Sequence, residues 1–548
     1  MQTSRSTRTF LVVFLLFFTV LAALLLLLVF TERTPSVEDV TPREYSDGDV
    51  LTITGDNFGE RRGQSSISIA GRRITASGYL EWTDTRIRVR VPDFSESGLL
   101  VVHTDRRESS GLLVRNRDDI PRQHSSDRVD RPEFDDLSSD TLTVGDVLVI
   151  EGRFLGNARH RRPVVFTGAA GVPVPVDNDE VELWTDREIR VRVPDGAASG
   201  PVSVEFIDER RVPGDVAIRT PGVTRRYGEP VSFAVELFAR LSTGAEQLPA
   251  GLWLWWPSPR PRQMQGSFEV VSSYSPDELA RERDMLLFEW RNTAASRLGV
   301  RQTILASRTS VEFEFNPSQV RREYNRASPI YERYTAEDPQ YGMTTERVTA
   351  TARNVASSND PLTSARRAFN TVVESLSFDI DGPAGVDAAL EQGQGNSQAI
   401  ARYMVGLLRL SRVPARVVHG VRMTEAGELP FYSWVEFLIP GAGWAPADPA
   451  AEAGADEHFF DSPEDPQTGI ISGFGRIDSR RLELSAGAQT AVRLLPSSRT
   501  VRHPVGLTQS DFHAEWSSTD TEVDLSVAPV TLLEMPPVFR SSPPDRED

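Results

Sequence analysis

Apolar and polar residues along this chain recur with two periods, and the first is strict alternation. Ile87, Val89 and Val91 alternate with Arg86, Arg88 and Arg90, which puts apolar side chains on one face and guanidinium groups in water, the pattern of a half-buried strand. The surrounding pattern repeats. Ser46-Asp47-Gly48-Asp49-Val50-Leu51-Thr52-Ile53-Thr54-Gly55 returns as Thr143-Val144-Gly145-Asp146-Val147-Leu148-Val149-Ile150-Glu151-Gly152. Trp82-Thr83-Asp84 with Ile87 to Asp93 likewise returns as Trp184-Thr185-Asp186 with Ile189 to Asp195. A period of roughly 100 residues is the size of one small β-sandwich. Gly55, Gly59, Gly152 and Gly156 are expected to supply turns between strands. Strand alternation resumes at Val311, Phe313 and Phe315, after a dense Trp253-Leu254-Trp255-Trp256-Pro257 cluster that could stack on sugar rings or pack inside the protein.

Helical spacing takes over after Pro317. Asp360 followed by Pro361 forms an N-cap and first-turn pair, with Ala365, Phe369, Val372, Val373 and Leu376 as the buried stripe. A second helix is predicted near Ser397, burying Ile400, Met404, Leu407 and Leu408. Val413 to Val418 and Trp434 to Leu438 then read as strands.

One stretch is apolar throughout. It opens at Phe10 and closes at Phe30, roughly 21 residues, enough at 1.5 Å per residue to cross a hydrocarbon core of about 30 Å. Bulky residues up to Thr31 favour an uncleaved anchor over a cleaved signal peptide. Arg5 and Arg8 hold the short N-terminus in the cytoplasm by the positive-inside rule, leaving the bulk of the chain in the periplasm or outside the cell.

Composition closes off much chemistry. The 548 residues carry a formal charge of -18, which argues against nucleic acid as a partner. Arginine pairs such as Arg61-Arg62, Arg106-Arg107 and Arg366-Arg367 are interspersed with acidic residues and read as solvated surface. Cysteine is absent, and so is lysine, which excludes disulfides, thiol nucleophiles, Ser-Lys dyads, Walker-type phosphate loops and Schiff bases. The seven histidines show no metal-ligand spacing, so no metal or cofactor is expected.

Two resemblances follow from these motifs. Gly55-Asp56-Asn57-Phe58-Gly59 with Val91-Pro92, and Gly152-Arg153-Phe154-Leu155-Gly156 with Val193-Pro194, resemble the immunoglobulin-like IPT/TIG family, whose modules serve as ligand binders or as spacers. Glu391 to Ala401, Val413-Pro414-Ala415-Arg416, Tyr432-Ser433-Trp434-Val435-Glu436, and Gly443-Trp444 with Asp448-Pro449 together resemble the core of the transglutaminase-like superfamily, a papain-related α+β fold. The expected architecture is multidomain. It comprises a cytoplasmic N-terminus (1–9), a transmembrane anchor (10–31), two IPT/TIG-like sandwiches (35–115 and 134–218) joined by a linker (116–133), a β-rich domain (225–317), a transglutaminase-like core (318–500), and a C-terminal extension with a disordered tail (501–548).

The family resemblance implies a cysteine at the start of the long helix, a histidine two residues before the strand tryptophan, and a carboxylate. Here those positions hold Ser397, Tyr432 and Asp448. A serine hydroxyl attacks only when a base takes its proton, and a neutral phenol is a poor base; losing one triad member alone typically costs orders of magnitude in rate. The expectation is a transglutaminase-like pseudoenzyme that binds a protein, peptide or cell-wall partner outside the membrane, with Ser397, Tyr432 and Asp448 joined in a hydrogen-bonded chain. The alternatives are an acyl hydrolase or transferase using Ser397 with a base from outside the family pattern, His419 being the candidate, and a purely architectural envelope protein.

Overall fold

The computed structural model describes residues 34–534 apart from short internal stretches, the longest being 118–131, 488–498 and 503–511. The apolar run, most of the linker and the tail 536–548 therefore lie outside the described residues. Among those described, no helix is long and apolar enough to cross a membrane.

The sequence repeat is a repeat of topology. In the first copy Ser36–Thr41, Val50–Asp56, Arg86–Arg90 and Tyr79–Trp82 form one sheet in that spatial order; in the second, Glu133–Leu137, Val147–Arg153, Glu188–Arg192 and Val181–Trp184 do the same. Each packs on a five-stranded partner sheet. The alternating residues meet between the sheets, with Leu51, Ile53, Ile87, Val89, Leu100 and Val102 in one core and Leu148, Ile150, Ile189, Val191, Val202 and Val204 in the other. Gly59 and Gly156 occupy left-handed turns, with φ of 90° and 73°. Gly55 and Gly152 instead lie inside strands. A Cβ at Gly55 would sit 1.9 Å from the Ser36 carbonyl oxygen, and one at Gly152 2.3 Å from that of Glu133, so close strand approach and not turning explains them.

The second copy is docked on the rest of the protein. The Asp195 carboxylate accepts the backbone N–H of Trp444 at 3.0 Å with Arg225 3.8 Å away, and Arg321 donates to Thr143 Oγ1 at 3.2 Å.

The third domain is a sandwich whose two sheets are each completed by the C-terminus. Val231–Ser242 pairs with Arg297–Arg308 on one side and with Asp524–Val527 and Thr531–Glu534 on the other; Gly251–Pro257 pairs with Met285–Arg291 and with His513–Trp516. Residues beyond 501 are thus no separate extension. Their strands are short, but Phe512, Ala514, Trp516, Val523, Leu525 and Val527 are buried beside Val235, Leu237, Leu252 and Leu254. Trp255 and Trp256 are wholly enclosed, which is packing and not an exposed sugar platform.

In sequence, the α+β domain lies between the two sets of strands that build that sandwich. Asp360 caps the Pro361–Ser375 helix through the Thr363 N–H, and a second, more deeply buried helix spans Ser397–Leu410. It packs against an antiparallel sheet ordered Gly443–Ala447, Phe431–Ile439, Ala415–Arg422 and Arg481–Ala486. On another side the helix meets the short Pro339–Tyr341 turn closely: a Cβ at Gly406 would lie 2.1 Å from the Tyr341 carbonyl oxygen.

Candidate functional site

Asn396 caps the long helix by accepting the Ala399 N–H at 3.1 Å, which makes Ser397 its first residue. The Ser397 hydroxyl faces the sheet. The Phe431–Ile439 strand runs on past its neighbour, where pairing ends at Val435 with Ala447, and Ser397 Oγ accepts the Ser433 N–H at 3.1 Å.

Tyr432, next along that strand, donates to Asp448, whose oxygens lie at 3.0 and 3.1 Å. Asp448 also accepts the Ala451 N–H at 3.0 Å and a hydrogen bond from Arg481. Around this pair spreads a network that the sequence reading missed. Arg481 donates to Asp478 at 3.2 Å and to Ser472 at 2.7 Å; Arg422 donates to Asp456 at 2.6 Å, to Asp478 at 3.0 Å and to the Tyr432 oxygen at 3.3 Å; Arg480 reaches Asp478 at 3.2 Å. Three arginines face three aspartates, so the network is formally balanced, as burial of charge requires.

Ser397, Tyr432, Asp448, Asp478, Arg422 and Arg481 all have 0% exposure. Phe378 and Phe459 cover the Tyr432 ring at centroid distances of 6.4 and 6.0 Å, and Arg422 stacks on it at 5.1 Å. Burial, and then the Asp448 charge, hold the Tyr432 phenol well above the usual tyrosine range, so it keeps its proton. Burial alone would raise Asp478, but Arg481, Arg422 and Arg480 outweigh it and hold the carboxyl well below its usual range. Asp456 is raised by burial in spite of Arg422.

The structure therefore joins Tyr432 to Asp448 but not Ser397 to either. Among the described residues no hydrogen bond links Ser397 with Tyr432 or with His419. The His419 imidazole instead meets the Ser433 hydroxyl at 3.0 Å. The nearby open cleft, about 370 Å³, is lined by Glu374, Leu376, Ser377, Gly393 and Glu452, and the three triad positions take no part in its lining. Two other motif residues form a second buried pair: Arg416 meets Glu436 at 2.7 Å and stacks on Trp444 at 4.1 Å.

Arg480 and Arg481 escaped the sequence reading because arginine pairs read as solvated, and Arg422 because it stands alone at the end of its strand. The stretch Arg481-Leu482-Glu483-Leu484 alternates like a half-exposed strand, yet all of Arg481–Ala486 is buried. Its signal was faint: an Asp478-Ser479-Arg480-Arg481 doublet leading straight into a strand.

Comparison with known proteins bears on both folds. Residues 349–449 match the family model of the transglutaminase-like superfamily, and residues 35–113 match that of the IPT/TIG domain. The chain thus carries a transglutaminase-like core domain and an IPT/TIG domain. No protein of curated function matches it in sequence. Among solved structures, a presumed cysteine protease from Cytophaga hutchinsonii is similar at 8% identity and a TM-score of 0.37, over 57% of this chain and 94% of that one. The periplasmic domain of TgpA from Pseudomonas aeruginosa is similar at 16% identity and a TM-score of 0.26, over 54% of this chain and 89% of that one.

Proposed function

We propose that this chain is a membrane-anchored, extracytoplasmic protein whose transglutaminase-like domain carries out no covalent catalysis and serves to bind or scaffold a peptide, cell-wall or envelope partner. The anchoring rests on the apolar run from Phe10 to Phe30, and the sidedness on Arg5 and Arg8 ahead of it. One observation carries the loss of catalysis. The positions of the family's nucleophile, base and carboxylate are Ser397, Tyr432 and Asp448, all fully enclosed, with the phenol protonated and the carboxylate held by Arg481. A nucleophile without a base or a path to substrate cannot begin acyl transfer.

The test is labelling of the purified protein with a fluorophosphonate probe, side by side with Ser397→Ala. No label on either is the expected result. Label on the wild type that disappears in the variant would establish Ser397 as an activated nucleophile and sink the proposal.

A further inference from the structure

The inward positions of the Arg297–Arg308 strand are Val300, Gln302, Ile304, Ala306 and Arg308, and the last of them ends a mostly apolar series with a charge. Arg308 has 0% exposure, and none of its three guanidinium nitrogens has a hydrogen-bond partner. Its strand belongs to the third domain but lies against the Arg481–Ala486 strand of the transglutaminase-like sheet, so the guanidinium is enclosed in the seam between the two domains. The guanidinium carbon is 5.6 Å from the centre of the Trp434 ring, over which Arg481 also stands at 5.7 Å, and the Trp434 Nε1–H is unpaired as well. Among the described residues the other buried arginines, Arg409, Arg416, Arg422, Arg480 and Arg481, each donate to at least one oxygen. Arg308 is the exception. Glu483, itself buried, is the carboxylate that acts on it most strongly, yet the two form no ion pair among the described residues. Burial pulls the guanidinium pKa down to about 10 against the opposing charge of Glu483, so the group is still a cation at neutral pH.

We infer that one or more ordered water molecules occupy this seam and join Arg308 to Glu483 as a solvent-bridged ion pair. An enclosed guanidinium brings five N–H donors, and leaving all of them without an acceptor costs more than a marginally stable fold can carry. The acceptors are therefore those of a guest. Charge selects which guest. Arg481 already answers Asp448 and Asp478, and Glu483 answers Arg308, so a bound anion would set an unbalanced negative charge beside a buried carboxylate. Water is neutral, accepts from the guanidinium and donates to the carboxylate, and fills polar gaps of this kind in protein interiors. The bridge ties the third domain to the sheet that carries Tyr432 and Trp434.

The test is a crystal structure of the full chain at a resolution that shows ordered solvent, from crystals grown with bromide in place of chloride. Density within hydrogen-bond distance of both Arg308 and Glu483, without an anomalous bromide signal, is the expected result. Arg308→Met keeps the bulk of the side chain but removes its donors, so the same density should be lost and the melting temperature lowered; if that variant does not fold, the wild-type crystals decide alone. Bromide at the site would make it an anion site, a direct Arg308 to Glu483 contact would show that the pair needs no bridge, and dry packing around Arg308 would leave no guest. Each of these overturns the assignment. So would a melting temperature that climbs with added sulfate or phosphate in the wild type but not in Arg308→Met.

Discussion

The Tyr432 hydroxyl spans both oxygens of Asp448, at 3.0 and 3.1 Å, and so takes up the carboxylate that in the transglutaminase-like pattern would orient a histidine. A histidine there could give one nitrogen to the carboxylate and keep the other for the nucleophile. A phenol has one oxygen and one proton. The proton is directed at Asp448, the oxygen receives Arg422 at 3.3 Å, and the Ser397 hydroxyl turns instead to the Ser433 N–H.

Restoring the nucleophile should not restore reactivity. Ser397→Cys would be the only thiol in the chain, and a thiol-reactive dye should fail to modify it in the native protein while reacting stoichiometrically in urea. Rapid native reaction would show that the helix start is open to solvent, against its 0% exposure.

Asp478 should be a linchpin of stability. Its substitution by Asn leaves Arg422, Arg480 and Arg481 short of a buried counter-charge and should cost about 3–5 kcal/mol. Its folded pKa is depressed, so its stabilisation is fully present above the unfolded value near 3.9 and is lost as pH falls through the folded value. The gap in melting temperature between wild type and Asp478→Asn should therefore stay constant from pH 5 to 8 and close only below about pH 4. Asp456 is raised by burial, and Asp456→Asn should cost less than Asp478→Asn.

Asp195→Ala should loosen the second sandwich. The Trp444 N–H loses a charged acceptor and Arg225 its nearest carboxylate, a loss of about 1.5–3 kcal/mol. Faster proteolytic cleavage between the second and third domains, with the far-UV spectrum unchanged, is the expected outcome. Equal cleavage of variant and wild type would mean that Asp195 does not hold the interface.

Truncation after residue 498 should destroy the third domain and not merely trim it. It removes the strands that cover Val235, Leu237, Leu252 and Leu254. Binding of a hydrophobic dye and aggregation at micromolar concentration are expected; a monomeric truncated chain with an intact thermal transition for this domain would contradict the pairing.

What the sequence made legible was whatever lies in local pattern. The cap at Asp360, the helix at Ser397 and the strands around Val417 and Val435 follow from periodicity and end signals a few residues long. The Tyr432 to Asp448 bond followed from the family resemblance. The arginine network did not, because its members are spread from Arg422 to Arg481 and each looks solvated in its own neighbourhood. The partner of Ser397 eluded prediction for a related reason. That partner is a backbone N–H exposed by the unequal lengths of two strands, which no side-chain motif records.

Because the third domain is closed by strands from both sides of the transglutaminase-like domain, it cannot be finished in the order in which it is made. Val231–Ser242 and Gly251–Pro257 leave the ribosome with apolar faces exposed and wait for His513–Trp516 and Asp524–Val527, an interval on the order of ten seconds or more at typical rates of synthesis. In between, the helical domain has time to fold and bring the two chain ends together. If the chain is also threaded across a membrane, this waiting half-sandwich is the part most in need of a chaperone on the far side.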